Sequence, residues 1–303
     1  MKKLFETLGI FSLLCISFIY TEKTVTVVKE FDDIMVEIKE QSKKNSKQTI
    51  EAVIDNDTII PGISGYEIDT NNSYSKMKRY GRYNDKLLTY TKVKPKDSIY
   101  NNMNKYIISG NKEKNMVSLM FLVEENDNID KILKILETKK ITATFFLDGN
   151  FVEKNSESLI QIVNKGHDIG NLSYSRNYLH HSYAWLDTKI KQVSKQKNGY
   201  CYSDNSDKTV LNICQTSSNF TIKPNLIIKN YPLKEIKGCL QAGNLISLPV
   251  TQTVVDELPV IISFIESKGY EISSLTQHLK EEWNYILTVV FLYGFFSFVR
   301  ASI

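Results

Sequence analysis

The sequence lacks a Cys-x-x-Cys pair, which excludes a zinc knuckle and a dithiol redox motif. Cysteine occurs only at Cys15, Cys201, Cys214 and Cys239. Cys15 lies in an apolar N-terminal run, which leaves an odd number for the main body. The sequence leaves two interpretations open: a Cys201–Cys214 disulfide outside the cytoplasm, or free buried thiols.

The sequence also lacks a concentration of charge of either sign. The formal net charge is +4 over 303 residues, and lysine is mixed with aspartate and glutamate in most stretches. A nucleic-acid surface requires a denser basic patch, so we expect no nucleic-acid partner. Hydrophobic residues make up 42% and charged residues 24%, which favours a globular protein over disorder. The length suits one large domain and an appendage.

The N-terminal apolar run is shorter than the ~20 residues that usually span a bilayer. It extends from Leu8 to Tyr20 and follows Lys2 and Lys3. Positive charge before an apolar run is typical of a secretory signal or a signal-anchor. Because no small-x-small cleavage site follows, we predict that residues 1–21 are an uncleaved signal-anchor. The positive-inside rule then places the main domain outside the cytoplasm.

A second apolar segment covers residues 283–299 and ends before Arg300. The charge rule favours a return into the membrane with Arg300 in the cytoplasm. A buried helix of the main domain is the alternative. The predicted localisation is therefore the cell membrane, with one or two passes, and the membrane is a predicted partner.

Residues 22–115 have the pattern of an α+β accessory region. No catalytic constellation is visible there, so the sequence supports a role in packing or partner contact. The predicted helices and strands alternate along this region: strand Thr24–Val28, a charged amphipathic helix Phe31–Lys43 that could act as a stalk, strand Thr49–Ile54, helix Asn72–Tyr80 and strand Leu87–Val93.

Residues 116–280 change to an alternation of short apolar strands and amphipathic helices. This alternation predicts an α/β domain with a parallel sheet. The first predicted elements are strand Val117–Val123, helix Asn128–Thr138, strand Ile141–Leu147, helix Val152–Lys165 and strand Ile169–Ser173.

Two ordered motifs point to a known family. Ile141 to Asn150 spells I-T-A-T-F-F-L-D-G-N, and Gly166 to Asn171 spells G-H-D-I-G-N. This order and spacing resemble the polysaccharide deacetylase family, whose members carry A-T-F-F, a helix and then G-H-E-I-G-N-H. The resemblance extends from Val117 to about Lys280. It implies a distorted (β/α) barrel of the polysaccharide deacetylase type for residues 116–280.

Enzymes that resemble this family remove acetyl groups from N-acetylated sugars with a divalent metal. The metal polarises the amide carbonyl and lowers the pKa of a bound water, while a carboxylate base and a separate acid move protons. In the family the first strand ends in T-F-D-D-G, which supplies the base and a metal-binding aspartate. Here Leu122 and Val123 stand at those two positions.

The remaining family motifs are also changed. The family's H-[S/T]-x-x-H supplies two imidazole ligands, but here Leu172 and Arg176 stand at the two histidine positions. Leucine has no lone pair to donate, and arginine is a permanent cation. A late strand that ends in a histidine acid in the family ends here in Pro249. The resemblance thus implies a barrel without catalytic residues, metal or other cofactor, leaning towards a pseudoenzyme.

Such a barrel could bind a cell-wall glycan or an envelope protein. Aromatic faces stack on sugar rings, and Tyr174, Tyr178, Trp185 and Tyr202 fall in segments predicted to be loops near the former site. Ordinary packing of these side chains is the alternative, and exposure in one groove would distinguish the two.

An active metal-dependent deacetylase of N-acetyl sugars with a relocated site is the second hypothesis. Its candidate ligands are His167, Asp168, His180 and His181. At least three of these side chains would have to converge on one cavity.

A third hypothesis concerns Arg176. An ion pair of Arg176 with Glu124 and Glu125 could hold the loops in place of the missing metal. Solvated surface charges are the alternative.

Overall fold

A computed structural model describes residues 11–13, 16–19, 21 and 27–283 of the chain. These residues divide into two compact units. The smaller unit consists of two segments, the residues up to Thr49 and Gly65–Val93. The larger unit consists of Ile50–Ser64 and the residues from Lys94 onward. Among the described residues no helix combines the length and apolarity needed to cross a membrane. The predicted segments 1–21 and 283–299 lie largely outside the described residues.

The described chain contains the following β-strands in chain order: β1 Val53–Asp55, β2 Thr58–Ile60, β3 Gly65–Ile68, β4 Tyr90–Val93, β5 Tyr106–Ile107, β6 Met116–Val123, β7 Thr144–Leu147, β8 Asp168–Asn171, β9 Tyr200–Tyr202, β10 Phe220–Ile222, β11 Leu226–Ile227, β12 Leu245–Pro249 and β13 Glu271–Ile272. The α-helices are α1 Asp33–Asn45, α2 Thr70–Tyr80, α3 Asp130–Lys139, α4 Gly149–Lys154, α5 Glu157–Asn164, α6 His180–Ser194, α7 Lys208–Thr216, α8 Pro232–Cys239, α9 Gln252–Ser267 and α10 Leu275–Leu279.

The smaller unit combines α1 and α2 with the antiparallel pair β3–β4. Helix α1 begins at a capping aspartate, because the Asp32 side chain accepts a hydrogen bond from the Ile34 N–H at 3.0 Å. Ile38, Ile68 and Met77 form its small apolar core. The residues predicted to form a strand at Thr24–Val28 are described only from Val27, and there the backbone is helical.

The larger unit is built on one mostly parallel sheet with the order β1-β2-β5-β10-β9-β8-β7-β6-β12-β11, and β13 pairs with β6. Only the β1–β2 pairing in this sheet is antiparallel. From β6 onward, helices connect most of the successive parallel strands, which gives the distorted (β/α) barrel that the resemblance implied. The sheet also takes in β1, β2 and β5, which come from within the predicted accessory region 22–115.

Alternate residues of the strands face two different apolar cores. In β6, Phe121 and Val123 pack between the sheet and the helices, whereas Met120 and Leu122 pack inside the barrel. The outer core contains apolar side chains from one face of several helices of the larger unit, as the i, i+4 spacing of Ile132 and Leu136 in α3 illustrates.

The interior of the barrel is filled by large side chains. Phe146 of β7 lies inside it, and a Cβ atom on Gly170 of the next strand would approach the Phe146 ring to 2.3 Å. Glycine at this position therefore makes room for the ring. Leu275 and Leu279 of α10 join the same interior core.

Candidate functional site

The carboxyl ends of β6, β7, β8, β9 and β12 meet at one edge of the sheet because these strands are parallel. The register places Pro249 opposite Leu122, and Leu122 opposite Phe146. Leu122, Leu172 and Tyr202 are buried in one apolar cluster with Phe146. Leu122 and Leu172, which occupy two of the positions that carry the family's chemistry, therefore form part of the interior core.

The residues at this edge do not fit a divalent metal. Leu122 and Leu172 present only carbon atoms, and the Arg176 guanidinium would repel a cation. Val123 packs in the outer core with Leu147 and Leu248, on the opposite face of the sheet from Leu122. No reaction step through a metal at these five family positions follows from this arrangement.

The loop after β8 has an unusual backbone held by Asp148. Ser173, Ser175 and Arg176 all have positive φ angles, of 58°, 49° and 58°. The buried Asp148 carboxylate accepts hydrogen bonds from the Asn150 N–H at 2.8 Å and the Ser175 N–H at 2.5 Å. One side chain thus caps α4 and fixes this loop. Asp148 was not among the residues predicted for the site, although an aspartate directly after a strand and before a helix is a capping signal.

Arg176 links two strand ends at the rim of the barrel. Its Nη2 atom donates to Glu124 Oε1 at 2.8 Å, and its Nη1 atom lies 4.0 Å from Asp204 Oδ2. Glu124 follows β6 and Asp204 follows β9. The hypothesis of an Arg176–Glu124 ion pair is therefore confirmed. Its inclusion of Glu125 is wrong, because Glu125 pairs with Lys154 instead.

Two of the four aromatic binding candidates are core residues. Tyr178 is buried, and its hydroxyl lies 2.9 Å from each of two carbonyl acceptors, those of Asn171 and Tyr202. Burial raises the pKa of the Tyr178 hydroxyl, so it remains a neutral donor. Tyr202 is also buried and shares a hydrogen bond of 2.9 Å with Ser247 Oγ. Neither ring presents an open face on which a sugar could stack.

Tyr174 and Trp185 remain as candidates for binding. Their ring centres lie 5.9 Å apart with an angle of 55° between the planes, and Trp185 is 37% exposed. The Tyr174 hydroxyl donates to Glu153 Oε1 at 2.6 Å. A Cβ atom on Gly149 would lie 2.4 Å from the Tyr174 ring, so glycine permits this close packing. The prediction that all four aromatic residues lie in loops is wrong, because Trp185 belongs to α6 and Tyr202 to β9.

The four residues proposed for a relocated metal site do not converge. His167 and Asp168 lie at the amino end of β8, whereas exposed His180 and His181 begin α6, which follows the loop at the carboxyl end. The His167 Nδ1 atom accepts from the Ala143 N–H at 3.2 Å, and Asp168 Oδ2 accepts from the Thr276 N–H at 2.7 Å. Within the described residues there is no group of three or more His, Cys, Asp or Glu side chains placed to hold a metal ion.

A disulfide joins Cys201 of β9 to Cys214 of α7. Of the two interpretations left open by the sequence, the structure has the disulfide. Cys239 is a free and exposed thiol.

The comparisons with known proteins agree with this geometry. The model of the polysaccharide deacetylase family matches residues 109–218, which include β6 to β9 and the loop of Arg176. Residues 109–218 therefore carry the polysaccharide deacetylase domain. The family assignment made from the two motifs is therefore confirmed.

Relatives with this domain include proteins of two bacilli. The chain is 28% identical over 281 residues to the uncharacterized Bacillus subtilis protein YlxY, covering 85% of this chain and 87% of YlxY. The fold is shared with BA3943 of Bacillus anthracis, described as a CE4 family pseudoenzyme, at a TM-score of 0.65 and 24% identity over 83% of this chain and 96% of BA3943. A mutant of BA3943 described as having restored enzymatic activity gives the same TM-score of 0.65.

A deacetylase shares the fold more distantly. Bacillus subtilis PdaA, a family 4 carbohydrate esterase, matches at a TM-score of 0.51 and 18% identity, covering 58% of this chain and 85% of PdaA. By sequence, PdaA is described as a peptidoglycan-N-acetylmuramic acid deacetylase, and it is 26% identical to this chain over 142 residues, or 46% of this chain and 49% of PdaA.

Proposed function

We propose that this chain is a catalytically inactive, membrane-anchored polysaccharide-deacetylase-like protein of the bacterial cell envelope that binds a glycan or serves as a scaffold there. One observation carries the proposal. The family's base, metal-ligand and acid positions hold Leu122, Val123, Leu172, Arg176 and Pro249, and the first and third of these pack in the interior core.

Inactivity follows from the chemistry that amide hydrolysis requires. A water must lose a proton to a nearby base, and the leaving amine must gain one from an acid. Leucine, valine and proline side chains can do neither at the carboxyl edge. Arg176 is already engaged by Glu124 and has no proton to exchange near neutral pH. The shared fold with BA3943, described as a pseudoenzyme, supports this proposal by likeness.

The test is to measure metal content and acetate release with the full chain in detergent. Zinc, cobalt or manganese is supplied together with N-acetylglucosamine oligomers or peptidoglycan, and PdaA serves as the active control. We expect no stoichiometric metal and no acetate from this chain. Metal near one equivalent together with acetate release would overturn the proposal and favour the relocated site.

A restored variant tests whether the five family positions account for the absence of a metal. The restored-activity mutant of BA3943 shows that activity was recovered in that protein. In this chain the variant that places the family's residues at the five positions is L122D/V123D/L172H/R176H/P249H. Gain of a bound metal by this variant, with none in the parent chain, would assign the loss to these five positions.

The glycan-binding part of the proposal rests on Tyr174 and Trp185. Tyr174 lies in the same loop as Arg176, its ring neighbours that of Trp185, and aromatic faces are suited to sugar rings. We expect calorimetric titration with N-acetylglucosamine oligomers or peptidoglycan fragments to show binding that the Y174A/W185A variant weakens at least about tenfold, or about 1.4 kcal/mol. The matched control is Y231A, since Tyr231 is 66% exposed at the start of α8. Equal affinity in all three proteins would reject this face and favour the scaffold role.

The extracytoplasmic location is supported by the Cys201–Cys214 disulfide, because disulfides persist in oxidising compartments. It agrees with the charge pattern of residues 1–21. The test is protease accessibility of the larger unit in intact spheroplasts. Protection there, with digestion after lysis, would contradict the proposed orientation.

A further inference from the structure

The smaller unit carries an exposed basic surface at the end of α2. Residues 76–86 contain five lysine or arginine residues and a single acidic residue, Asp85. Lys76, Arg79, Arg82 and Lys86 are all exposed. Tyr80 lies among them with 51% of its surface exposed, and the Arg82 guanidinium lies 5.4 Å from the centre of its ring. We name these five residues the α2 basic surface.

The charge of the α2 basic surface is not neutralised within the unit. Lys78, the fifth cation of this stretch, pairs with Asp32 at 2.5 Å and is therefore left out of the surface. Lys76 donates to the Thr89 hydroxyl at 2.9 Å, and because this hydroxyl is neutral it does not cancel the positive charge of Lys76. In the part of the chain that the structure describes, Lys76, Arg79, Arg82 and Lys86 form no ion pair with a carboxylate. Four cations thus remain available to an external anion.

The chain enters the smaller unit beside α2. Lys29 donates to Asn71 Oδ1 at 2.6 Å, and its Nζ atom lies 5.0 Å from the centre of the Tyr74 ring. Asn71 is eight residues before Arg79 on the same helix, which corresponds to about 12 Å along its axis. Lys29 follows Tyr20, the end of the N-terminal apolar run, by nine residues, and covalent geometry limits nine residues to about 30 Å.

We infer that the α2 basic surface contacts the anionic phosphate headgroups of the membrane in which the N-terminal segment is anchored. Lysine and arginine attract anionic headgroups, and an interfacial tyrosine places its ring at the same depth. A short tether gives the surface a high effective concentration at the bilayer, which a soluble wall polymer would not have. This inference rests on the proposed anchoring of residues 1–21.

The experiment measures the distance of α2 from lipid in the full chain. Ser75, exposed on α2, is replaced by cysteine in a C15S/C239S background, labelled with a fluorophore, and the protein is reconstituted in nanodiscs containing a quencher lipid. We expect severalfold stronger quenching in discs with 30% phosphatidylglycerol than in phosphatidylcholine discs. About 0.5 M salt should remove the difference, because the Debye length falls from about 8 Å at 0.15 M to about 3 Å at 1 M.

Charge reversal identifies the residues responsible. R79E/R82E/K86E should reduce the quenching in anionic discs to the level in neutral discs. The matched control is K131E/K134E/K208E, which makes the same change in net charge at exposed lysines of the larger unit and should leave quenching unchanged. Equal quenching in both lipids, or equal loss in both triple variants, would overturn the inference.

The outcomes also separate this inference from the anchoring on which it rests. A chain that stays in both kinds of disc without lipid-dependent quenching is anchored but lacks the headgroup contact. A chain that binds only anionic discs, and only with Arg79, Arg82 and Lys86 intact, supports the headgroup contact and rejects the anchor. A third outcome is no quenching in anionic discs together with a fluorescence change when a soluble glycerol phosphate polymer is added. It would mean that the α2 basic surface binds a soluble polyanion instead of the membrane, and it would overturn the inference.

Discussion

The two ends of the barrel differ in what they bury. At the carboxyl end, where barrel enzymes place their chemistry, the interior holds Leu122, Leu172 and Phe146. At the amino end, buried polar groups meet under α10: His278 shares a hydrogen bond of 2.8 Å with Ser118 Oγ, and Asp168 accepts from the Thr276 N–H at 2.7 Å. Titratable groups are thus buried at the end that barrel enzymes use for stability.

The buried polar groups at the amino end mainly hold α10 in place. The Lys114 ammonium donates to the carbonyl oxygens of Gln277, His278 and Lys280, at 3.1, 3.0 and 2.5 Å. The ring of His278 lies so close to Gly110 that a Cβ atom there would approach its Nε2 to 1.9 Å. In this barrel a strongly shifted pKa therefore results from burial of a structural residue. A shifted pKa alone would have pointed to a functional site at the wrong end of the barrel.

Placing a charge at the carboxyl end should have the largest effect. Leu122→Asp buries a carboxylate in an apolar cluster with no partner, and we expect it to lower the free energy of unfolding by about 3–5 kcal/mol. The measurement is urea unfolding at pH 7. Leu122→Met is the matched control, since a volume-conserving exchange costs less than about 1.5 kcal/mol. A small loss for Leu122→Asp would show that this end is open to water and would break the comparison.

Lowering the pH should reduce the stability of the protein through the buried histidines at the amino end of the barrel. Burial and the charge of Lys114 lower the pKa of His278 to about 3, and burial and Lys165 lower the pKa of His167 to about 4. Both lie below the ordinary value of 6.5, so the unfolded chain binds more protons and stability is lost as the pH falls from 6.5 towards these values. Between pH 6.5 and 5 we expect a loss of about 1.5 kcal/mol for each histidine.

The variant that checks this is H278N, which retains a polar partner for Ser118. It should remove about half of the pH dependence that His278 and His167 together produce between pH 6.5 and 5. Asp168 has the opposite sign, because burial raises the pKa of its carboxyl above the ordinary 3.8, so its protonation favours the folded state as the pH falls. An unchanged slope in H278N would mean that His278 is protonated in the folded state.

Removing a buried acceptor should have a somewhat smaller effect. Asp168→Ala leaves the Thr276 N–H and the Gln196 amide without their acceptor, and we expect a loss of about 2 kcal/mol in urea unfolding. Asp168→Asn retains one oxygen and should cost less. The control is Asp256→Ala, an exposed residue bonded within its own helix, with a change within about 0.5 kcal/mol. Equal losses for Asp168→Ala and Asp256→Ala would contradict a structural role for the amino end.

The sequence predicted the elements with strong apolar patterns and missed those without them. Strand β6 is buried throughout, and its eight residues were close to the predicted Val117–Val123. The three-residue strands β9 and β10 were missed because they are too short for a recognisable alternation, and tertiary pairing defines them. The predicted helix Val152–Lys165 is two helices, α4 and α5, separated at Asn155 and Ser156.

Residues of the candidate site could be predicted where a family motif fixes their position in the chain. They could not be predicted where their role depends on burial in the folded protein. The motif positions Leu122 and Pro249 were expected together, and they lie opposite each other in register. The burial of Tyr178 was not visible in the sequence, because its hydroxyl bonds carbonyl oxygens of β8 and β9 that only the fold brings together. Asp204 was missed as a neighbour of Arg176 for the same reason.

The rim of the carboxyl end should show the smallest effect. Arg176 and Glu124 lie 2.8 Å apart, but their side chains are 40% and 63% exposed, so solvent screens the pair. A double-mutant cycle of E124A and R176A should give a coupling of about 0.2–1 kcal/mol that decreases with salt. A cycle of E125A with R176A is the control and should show none, because Glu125 pairs with Lys154. Zero coupling for Glu124 would reduce the rim to solvated charges, whereas a coupling above about 2 kcal/mol would mean that Arg176 replaces the family's metal as a structural cation.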